Sequence, residues 1–273
     1  MEHPHMTPHL PTPPVIALLT DMGTNDWFVG TMKGVALSIC PHVQFVDLCH
    51  EITKQSIQEA AFILEISHAY FPEGSIFLCV VDPGVGTERQ AIVARNDKYY
   101  FVGPDNGAFS FVEMKSKTWE ARLIENPDYH FHQHSGTFHG RDLFAPAAAH
   151  LAAGAPFEEF GPSINSLLQI PTFEQVMVKG GLLSGRIIYI DSYGNLLTNV
   201  TPEHIPPDID HSHIKLSYHG RFVNGISPHY ADVPPNHPLM YWGSSGFLEV
   251  AINMGSAQRK WQAQTNDWFE MEW

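Results

Sequence analysis

Three short segments of the sequence carry polar residues in patterns that suit chemistry on a small molecule. Asp21 and Asp26 belong to the run TDMGTND, and such a carboxylate pair can accept hydrogen bonds from two vicinal hydroxyls or from an ammonium group. Asp82 and Arg89 belong to DPGVGTER, whose glycines let the backbone approach a ligand closely. His139 belongs to GTFHGRD, and an imidazole can orient or relay a proton.

Each of these segments taken alone also has a plain structural interpretation. Asp26 can cap the helix that follows it while Asp21 faces solvent. The Pro-Gly step after Asp82 is typical of a tight turn, and its spacing matches neither the P-loop nor the dinucleotide-binding fingerprint. A single histidine before a helix, such as His139, is more often structural than catalytic. These alternatives remain open at the level of the single motif.

The elements that carry the first two segments alternate between strands and helices. Apolar runs and helical spacing predict strands at 15–20, 43–47 and 75–81 and helices at 26–40 and 56–71. This β-α-β-α-β order indicates an α/β fold with a mostly parallel sheet and flanking helices, in which ligands bind beyond the carboxyl ends of the strands. Asp21 and Asp82 lie at two of those ends.

The pattern changes near residue 175 to short strands separated by polar and Gly/Pro turns. The strands are predicted at 182–191, 214–218, 239–242 and 247–252. They indicate a smaller C-terminal all-β domain, a barrel or a sandwich. We therefore predict a disordered tail at 1–14, an α/β N-terminal domain at 15–175 and a C-terminal β-barrel domain at 180–273.

Composition excludes several classes of function. The formal charge is −14 and the 15 Lys and Arg residues are scattered, which argues against nucleic acid as a partner. The three cysteines form no CxxC pair, so a reducing cytoplasm fits best. The sequence shows neither the pattern of a signal peptide nor an apolar run long enough for a membrane span.

Seven segments in the same order give the sequence a resemblance to a known family. They are TDxGxxD at Asp21, VDLCH ending at His50, DPGVGTxR at Asp82, GPDNG at Gly103, TFHGRD at Thr137, IDSYGNLLTN at Ile190 and SSGxLEVA at Ser244. Over about residues 15–257 the sequence resembles the S-adenosylmethionine hydrolases, also called S-adenosylmethionine hydroxide adenosyltransferases, which are related to fluorinase and chlorinase.

The resemblance implies a reaction and a catalytic set. Members hydrolyse S-adenosyl-L-methionine to adenosine and L-methionine by attack of an activated water on the ribose C5′, with no cofactor. An aspartate, an arginine and a histidine activate the water, and they match Asp82, Arg89 and His139. The family fold, an α/β domain followed by a β-barrel, agrees with the pattern of elements above.

The resemblance also implies binding residues and an assembly. Asp21 is expected to bind the ribose hydroxyls. Members form homotrimers whose active sites lie between the N-terminal domain of one subunit and the C-terminal domain of the next. The remaining expected contacts are Asp26, Asp191 and Ser244 to the methionine part and Tyr193, Asn195, Tyr230 and the backbone near Ala251 to the adenine.

The same residues argue against two alternative functions, a halogenase and a non-catalytic binding protein. A halogenase holds its halide with a small hydroxyl donor, whereas this sequence has Gly140 at that position and the anionic Asp82, which would repel a halide. A non-catalytic protein that binds S-adenosylmethionine or adenosine would have no use for a water-activating set. The sequence departs from the halogenases at Gln55, where they place a tryptophan over the ligand.

Three histidines, His130, His132 and His134, are spaced to lie on one face of a predicted strand. Such a face could bind a divalent metal, but neither a carboxylate nor a cysteine completes a ligand set. We therefore expect no metal site.

Overall fold

A computed structural model describes residues 13–132, 135–170 and 176–273 of the chain. The chain divides into two compact units, residues 1–170 and residues 171–273. Residues 1–12, which form most of the predicted tail, lie outside the described part of the chain.

A seven-stranded mixed sheet forms the centre of the first unit. Its strands are β1 (Val15–Thr20), β2 (Gln44–Cys49), β3 (Ile76–Val80), β4 (Ala91–Asn96), β5 (Tyr100–Pro104), β6 (Trp119–Leu123) and β7 (Ser163–Ile164), and they lie in the order β2-β1-β3-β5-β4-β6-β7. The strands β2, β1, β3 and β5 run parallel to one another, whereas β4, β6 and β7 pair in antiparallel fashion. The α/β class is confirmed, but parallel pairing extends over only the first part of the sheet.

Helices cover both faces of this sheet, which explains why β1 is apolar at every position except its last. The helices are α1 (Phe28–Ile39), α2 (Ile57–Ser67), α3 (Ser110–Lys115) and α4 (Ala145–Ala152). Ile16 and Leu18 pack in one buried cluster with Met32 of α1. Ala17 and Leu19 point the other way, into a cluster that contains α2 and α3. A strand buried on both faces needs apolar residues at successive positions, so the predicted strands and helices of this region are confirmed.

The second unit is built on an eight-stranded antiparallel sheet that curls into a nearly closed barrel. Its strands are β8 (Met177–Lys179), β9 (Leu182–Ile190), β10 (Leu196–Thr198), β11 (Lys215–Tyr218), β12 (Arg221–Asn224), β13 (Pro238–Trp242), β14 (Leu248–Ile252) and β15 (Trp268–Glu272). They lie in the order β12-β11-β15-β9-β10-β14-β13, with β8 beside β9. A bridge from Ile226, just after β12, to Met240 of β13 joins the two ends of this order.

The second unit also contains one short helix, α5 (Ala257–Trp261), beside the end of β14. The four strands predicted for this region correspond to β9, β11, β13 and β14, and the predicted all-β character is confirmed. No helix in the described parts of either unit is long and apolar enough to cross a membrane.

Candidate active site

The carboxyl ends of β1 and β3 bring two aspartates to one cavity. These strands are parallel neighbours in which Thr20 is paired with Val80, so the segments that carry Asp21 and Asp82 leave the sheet side by side. Both aspartates line a cavity of about 150 Å³, and His139 lines it as well. Three residues that are far apart in the sequence thus meet at the edge of the sheet where an α/β fold binds its ligands.

Arg89 folds back onto Asp82 through a bidentate ion pair. Its Nε donates to Oδ1 at 2.9 Å and its Nη2 donates to Oδ2 at 2.5 Å. The side chains of Arg89 and Asp82 are only 11% and 7% exposed, so water competes little for these bonds. The close approach requires Gly84, because a Cβ there would lie 2.9 Å from Cγ of Arg89.

His139 completes this cluster from the other side of the guanidinium. Its Nδ1 lies 2.6 Å from Nη2 of Arg89. A guanidinium can only donate, so Nδ1 must be the acceptor and the imidazole carries its hydrogen on Nε2. His139 is therefore a neutral imidazole held in one tautomer by Arg89.

His139 directly precedes a π-helical turn, Gly140–Phe144, which continues into α4. Inside this turn the fully buried Asp142 accepts hydrogen bonds from Arg141 Nε at 2.6 Å and from Ser135 N at 2.7 Å. Although burial alone would raise the pKa of Asp142, these partners hold it below its usual range. Asp142 therefore fixes the loop that presents His139.

Gly140 in the same turn has almost no free space around it. A Cβ there would lie 3.0 Å from Sδ of Met32, 3.2 Å from Phe138 and 3.4 Å from Val80. The wall of the cavity next to His139 is thus backbone, and a side chain at this position would have to displace its neighbours.

Asp21 is held by the segment before α2. The backbone N–H of Gln55 donates to Asp21 Oδ2 at 2.8 Å, and Lys54 Nζ contacts the backbone oxygen of Asp21. Gln55 adopts a left-handed backbone with φ of 65°, which aims its N–H at the carboxylate, and its side chain also lines the cavity. Among the described residues Oδ1 of Asp21 has no partner, so one acceptor oxygen is left for a ligand.

Asp26 is not brought into this cavity. It is exposed, it is not among the lining residues, and α1 begins two residues later at Phe28. The N-cap position is Trp27, which makes no side-chain capping bond, so the interpretation of Asp26 as a helix cap is wrong. Its expected contact with the methionine part of a ligand stays a prediction.

In the second unit Asp191 shapes the loop that follows β9. Its Oδ1 accepts from the backbone N–H groups of Tyr193 at 2.9 Å and Asn195 at 2.8 Å, and its Oδ2 accepts from Asn195 Nδ2 at 2.8 Å. Gly194 supplies the left-handed turn with φ of 83°. The carboxylate is thus an organiser of the loop, whatever else it binds.

This loop borders an open cleft of about 580 Å³. Tyr193, Asn195 and Tyr230 line it, so three of the residues expected around an adenine share one cleft. Ser244 is exposed on the turn between β13 and β14, and Ala251 is buried within β14. Neither of them lines the cleft, although Ile252, next to Ala251, does.

Sequence reasoning missed two residues beside this cleft, Tyr241 and Glu249. Glu249 is the second residue of the otherwise apolar strand β14 and is only 7% exposed, and Tyr241 is its cross-strand partner on β13. A single acid within the run LEVAI was the available signal, because a buried carboxylate needs hydrogen-bond donors.

The predicted strand at 130–134 is wrong for its described part. His130 and His132 lie in irregular backbone after a short 3-10 turn, Pro127–Tyr129, because the chain turns here instead of pairing with the sheet. His134 lies outside the described residues. Within residues 13–132, 135–170 and 176–273 no group of three or more His, Cys, Asp or Glu side chains is arranged to hold a metal ion.

Comparison with known proteins identifies the family. Residues 16–161 match the SAM hydroxide adenosyltransferase N-terminal domain, and residues 185–270 match the C-terminal domain of the same family, where SAM is S-adenosylmethionine. The chain belongs to this enzyme family, as the sequence motifs indicated.

Similar proteins carry two kinds of name. The (R)-S-adenosyl-L-methionine hydrolase of Thermus thermophilus is 35% identical over 252 residues, which cover 89% of this chain and 93% of that protein. A fluorinase of Actinoplanes sp. is 30% identical over 271 residues, which cover 88% of this chain and 91% of that protein. The crystal structure of an uncharacterized conserved protein from Thermotoga maritima matches with a TM-score of 0.88 at 32% identity, covering 94% of this chain and all of that one.

Proposed function

We propose that this protein hydrolyses S-adenosyl-L-methionine to adenosine and L-methionine. Water attacks the ribose C5′, a C5′–O bond forms, the C5′–S bond breaks, and its electron pair returns to sulfur as the neutral thioether of methionine. One proton of the water is released. The sulfonium is already a good leaving group, so the chemistry asks for no cofactor; what it needs is a bound, oriented water. The meeting of Asp82, Arg89 and His139 beside the cavity carries this proposal.

The geometry supports a distinct role for each member of this cluster. Arg89 supplies a permanent positive charge that stabilises developing hydroxide. His139 keeps Arg89 in place through Nδ1. Asp82 lines the cavity and retains unused lone pairs, so its carboxylate can hold the water, accept its proton and pass that proton to solvent. Asp21 would bind the ribose hydroxyls through its unpartnered oxygen.

Hydrolysis is supported over halogenation by two features of the same cavity. Gly140 offers no side-chain hydroxyl to a halide, and a side chain added there would press against Met32 and Phe138. The carboxylate of Asp82 would repel an anion. The curated relatives named hydrolases are also 32–35% identical, against 27–30% for those named fluorinases.

The remaining contacts and the assembly follow from the family resemblance. Asp26, Asp191 and Ser244 would hold the methionine part, while Tyr193, Asn195, Tyr230 and the backbone near Ala251 would frame the adenine. The protein would act as a homotrimer, with the cavity of one subunit and the cleft of the next sharing each ligand. All three cysteines are free thiols, which supports a reducing cytoplasm as its compartment.

The decisive experiment is incubation of the purified protein with S-adenosylmethionine in H₂¹⁸O. Attack on C5′ places the label in the 5′-hydroxyl of adenosine and leaves methionine unlabelled. Because the relatives are named for the R configuration at sulfur, both sulfonium epimers are assayed separately. Binding of adenosine without any turnover would favour the non-catalytic alternative, and 5′-halo-5′-deoxyadenosine formed in chloride or fluoride would favour the halogenase.

A further inference from the structure

A continuous chain of hydrogen bonds links a buried carboxylate of the second unit to the open cleft. It starts at Glu249, whose Oε2 accepts from the hydroxyl of Tyr241 across the β13–β14 pair. The hydroxyl oxygens of Tyr241 and Tyr230 are 2.5 Å apart. Asn195 Nδ2 donates to the Tyr230 hydroxyl at 3.2 Å, and Asn195 lines the cleft.

The carboxylate fixes the direction in which every proton of this chain points. An ionised Glu249 can only accept, so Tyr241 must donate to it. Burial and the Glu249 contact raise the pKa of Tyr241 well above its usual range, which keeps that hydroxyl protonated. The hydrogen of Tyr241 is then committed, so Tyr230 must donate to Tyr241. The Tyr230 oxygen in turn accepts from Asn195.

A second carboxylate holds the same amide from its other side. Asp191 Oδ2 accepts from Asn195 Nδ2 at 2.8 Å. Both hydrogens of the amide nitrogen are therefore committed to protein acceptors. Of the two polar atoms in the Asn195 side chain, only Oδ1 remains for a ligand, and an amide oxygen can only accept a hydrogen bond. No donor among the described residues binds it.

We propose that Glu249 and Tyr241 are positioning residues that lock the Asn195 amide with its oxygen toward the cleft, so that the site selects a purine with an amine at C6. The inference rests on the proposed function, since it takes the cleft as the adenine site. The C6 amine is the only N–H donor that a base-unmodified adenosine carries on its purine ring. Of the groups on the purine ring, an acceptor-only residue in the cleft therefore recognises this one alone.

Binding of two nucleosides to the full-length protein tests whether Glu249 and Tyr241 position the Asn195 amide. Purine riboside differs from adenosine only by the missing amine, and isothermal titration of both gives a selectivity ratio. For the wild-type protein we expect adenosine to bind roughly tenfold more tightly, the effect of one hydrogen bond with a partly buried partner. Glu249→Gln and Tyr241→Phe should each lower this ratio, while the bond to Asp191 retains part of it. In Glu249→Gln the amide can donate to Tyr241, and the chain loses its fixed direction.

Two controls separate positioning from general damage. Tyr218→Phe removes another buried tyrosine–carboxylate bond of the same unit, from Tyr218 to Asp267 at 2.6 Å, and should leave the ratio unchanged. In an Asn195→Ala background, where the amide is already absent, Glu249→Gln should have no further effect on the ratio. A Glu249 that merely supported the fold would change affinity for both nucleosides in both backgrounds.

A pH profile supplies a second readout. Burial raises the pKa of Glu249, and the charge of Asp191 raises it further, while the hydrogen bond from Tyr241 opposes the shift. A protonated Glu249 can donate to Tyr241, so the chain of Tyr241 and Tyr230 can reverse. We expect the selectivity ratio of the wild-type protein to fall as the pH is lowered through this pKa, and that of Glu249→Gln to stay flat.

The outcomes distinguish this inference from the proposed function. A protein that hydrolyses S-adenosylmethionine but binds purine riboside as tightly as adenosine contradicts the proposed positioning of Asn195 and leaves the proposed function intact. Tight binding of purine riboside with weak binding of 7-deazaadenosine would show that the amide presents its N–H group instead. A wild-type protein that binds neither adenosine nor purine riboside and shows no hydrolysis overturns both.

Discussion

Nη2 of Arg89 lies 2.6 Å from Nδ1 of His139, and the guanidinium is the donor in this contact. The lone pair of Nδ1 is therefore occupied, so in the proposed reaction His139 would hold Arg89 and Asp82 would take the proton from water. The predictions on the two aspartates follow from this division of roles.

Replacing Asp82 with asparagine should lower kcat by about 10²–10⁴, the usual contribution of a general base. Affinity for adenosine should stay nearly unchanged, because the lost interaction is made with the water and strengthens in the transition state. Single-turnover kinetics and calorimetry measure the two quantities. The matched control is Glu88→Gln, an acid-to-amide change at an exposed position of the same loop. It should leave both kcat and the affinity for adenosine unchanged.

Replacing Asp21 with asparagine should instead weaken adenosine binding by roughly tenfold or more, since bonds from ribose hydroxyls to a carboxylate exist already in the ground state. Titration with 2′,3′-dideoxyadenosine gives the test. The wild-type protein should bind it less tightly than adenosine, and Asp21→Asn should remove most of that difference. An Asp21→Asn protein with normal affinity and slow turnover would mean that the roles of the two aspartates are exchanged.

Gly140→Ser should destabilise the protein by about 1–3 kcal/mol, because the new side chain meets Met32 and Phe138 in a packed wall. It should also fail to confer halide incorporation while Asp82 remains. Gly136→Ser is the control, since a Cβ at Gly136 would have no atom within 4 Å. Thermal unfolding of both variants makes the comparison, and equal melting temperatures would contradict the packing argument.

Tyr218 should make stability fall in alkaline solution. Burial and the hydrogen bond to Asp267 raise the pKa of Tyr218 to about 12, whereas an unfolded tyrosine ionises near 10. The contribution is thus fully present below about pH 10 and is lost as the pH rises toward 12, by at most about 1.4 kcal/mol per pH unit. Denaturant titrations should show a shallower loss for Tyr218→Phe and no change for Tyr70→Phe, at a position 81% exposed.

The active form should be a homotrimer if each ligand is shared between neighbouring subunits. Light scattering at assay concentration reports the mass, and activity is measured on the same sample. Dilution should reduce specific activity as subunits separate. A monomer with full activity would contradict the proposed assembly while leaving the reaction itself untouched.

The sequence predicted those elements that are buried along their whole length or along one regular face. Val15–Thr20 was predicted with its observed bounds because a strand covered on both faces has an apolar run that little else in a chain imitates. The antiparallel strands β4, β6 and β7 were not predicted, because the half-buried pair Arg95 of β4 and Glu120 of β6 interrupts any clear alternation, and β7 has only two residues. The strand predicted around His130 and His132 is wrong for the opposite reason. The histidines alternate regularly in the sequence, but the chain makes a turn just before them.

For the site, short motifs predicted which side chains meet at the cavity but not how their protons are arranged. The donor-to-acceptor direction of the hydrogen bonds that begin at Glu249 depends on the register that pairs Tyr241 with Glu249 across two strands. It also depends on Tyr230, which approaches from a separate loop. Distances of this kind arise only after folding, and no local pattern encodes them.

The crowding around Gly140 also bears on how the hydrolases and halogenases of this family diverged. A mutation that adds a side chain at this position brings its Cβ within 3.0 Å of Sδ of Met32 and 3.2 Å of Phe138, so we expect it to cost stability unless these neighbours shift. A neighbour that becomes smaller beforehand would remove this cost. We therefore predict that reconstructed ancestral sequences between the two activities show the neighbour altered before the glycine.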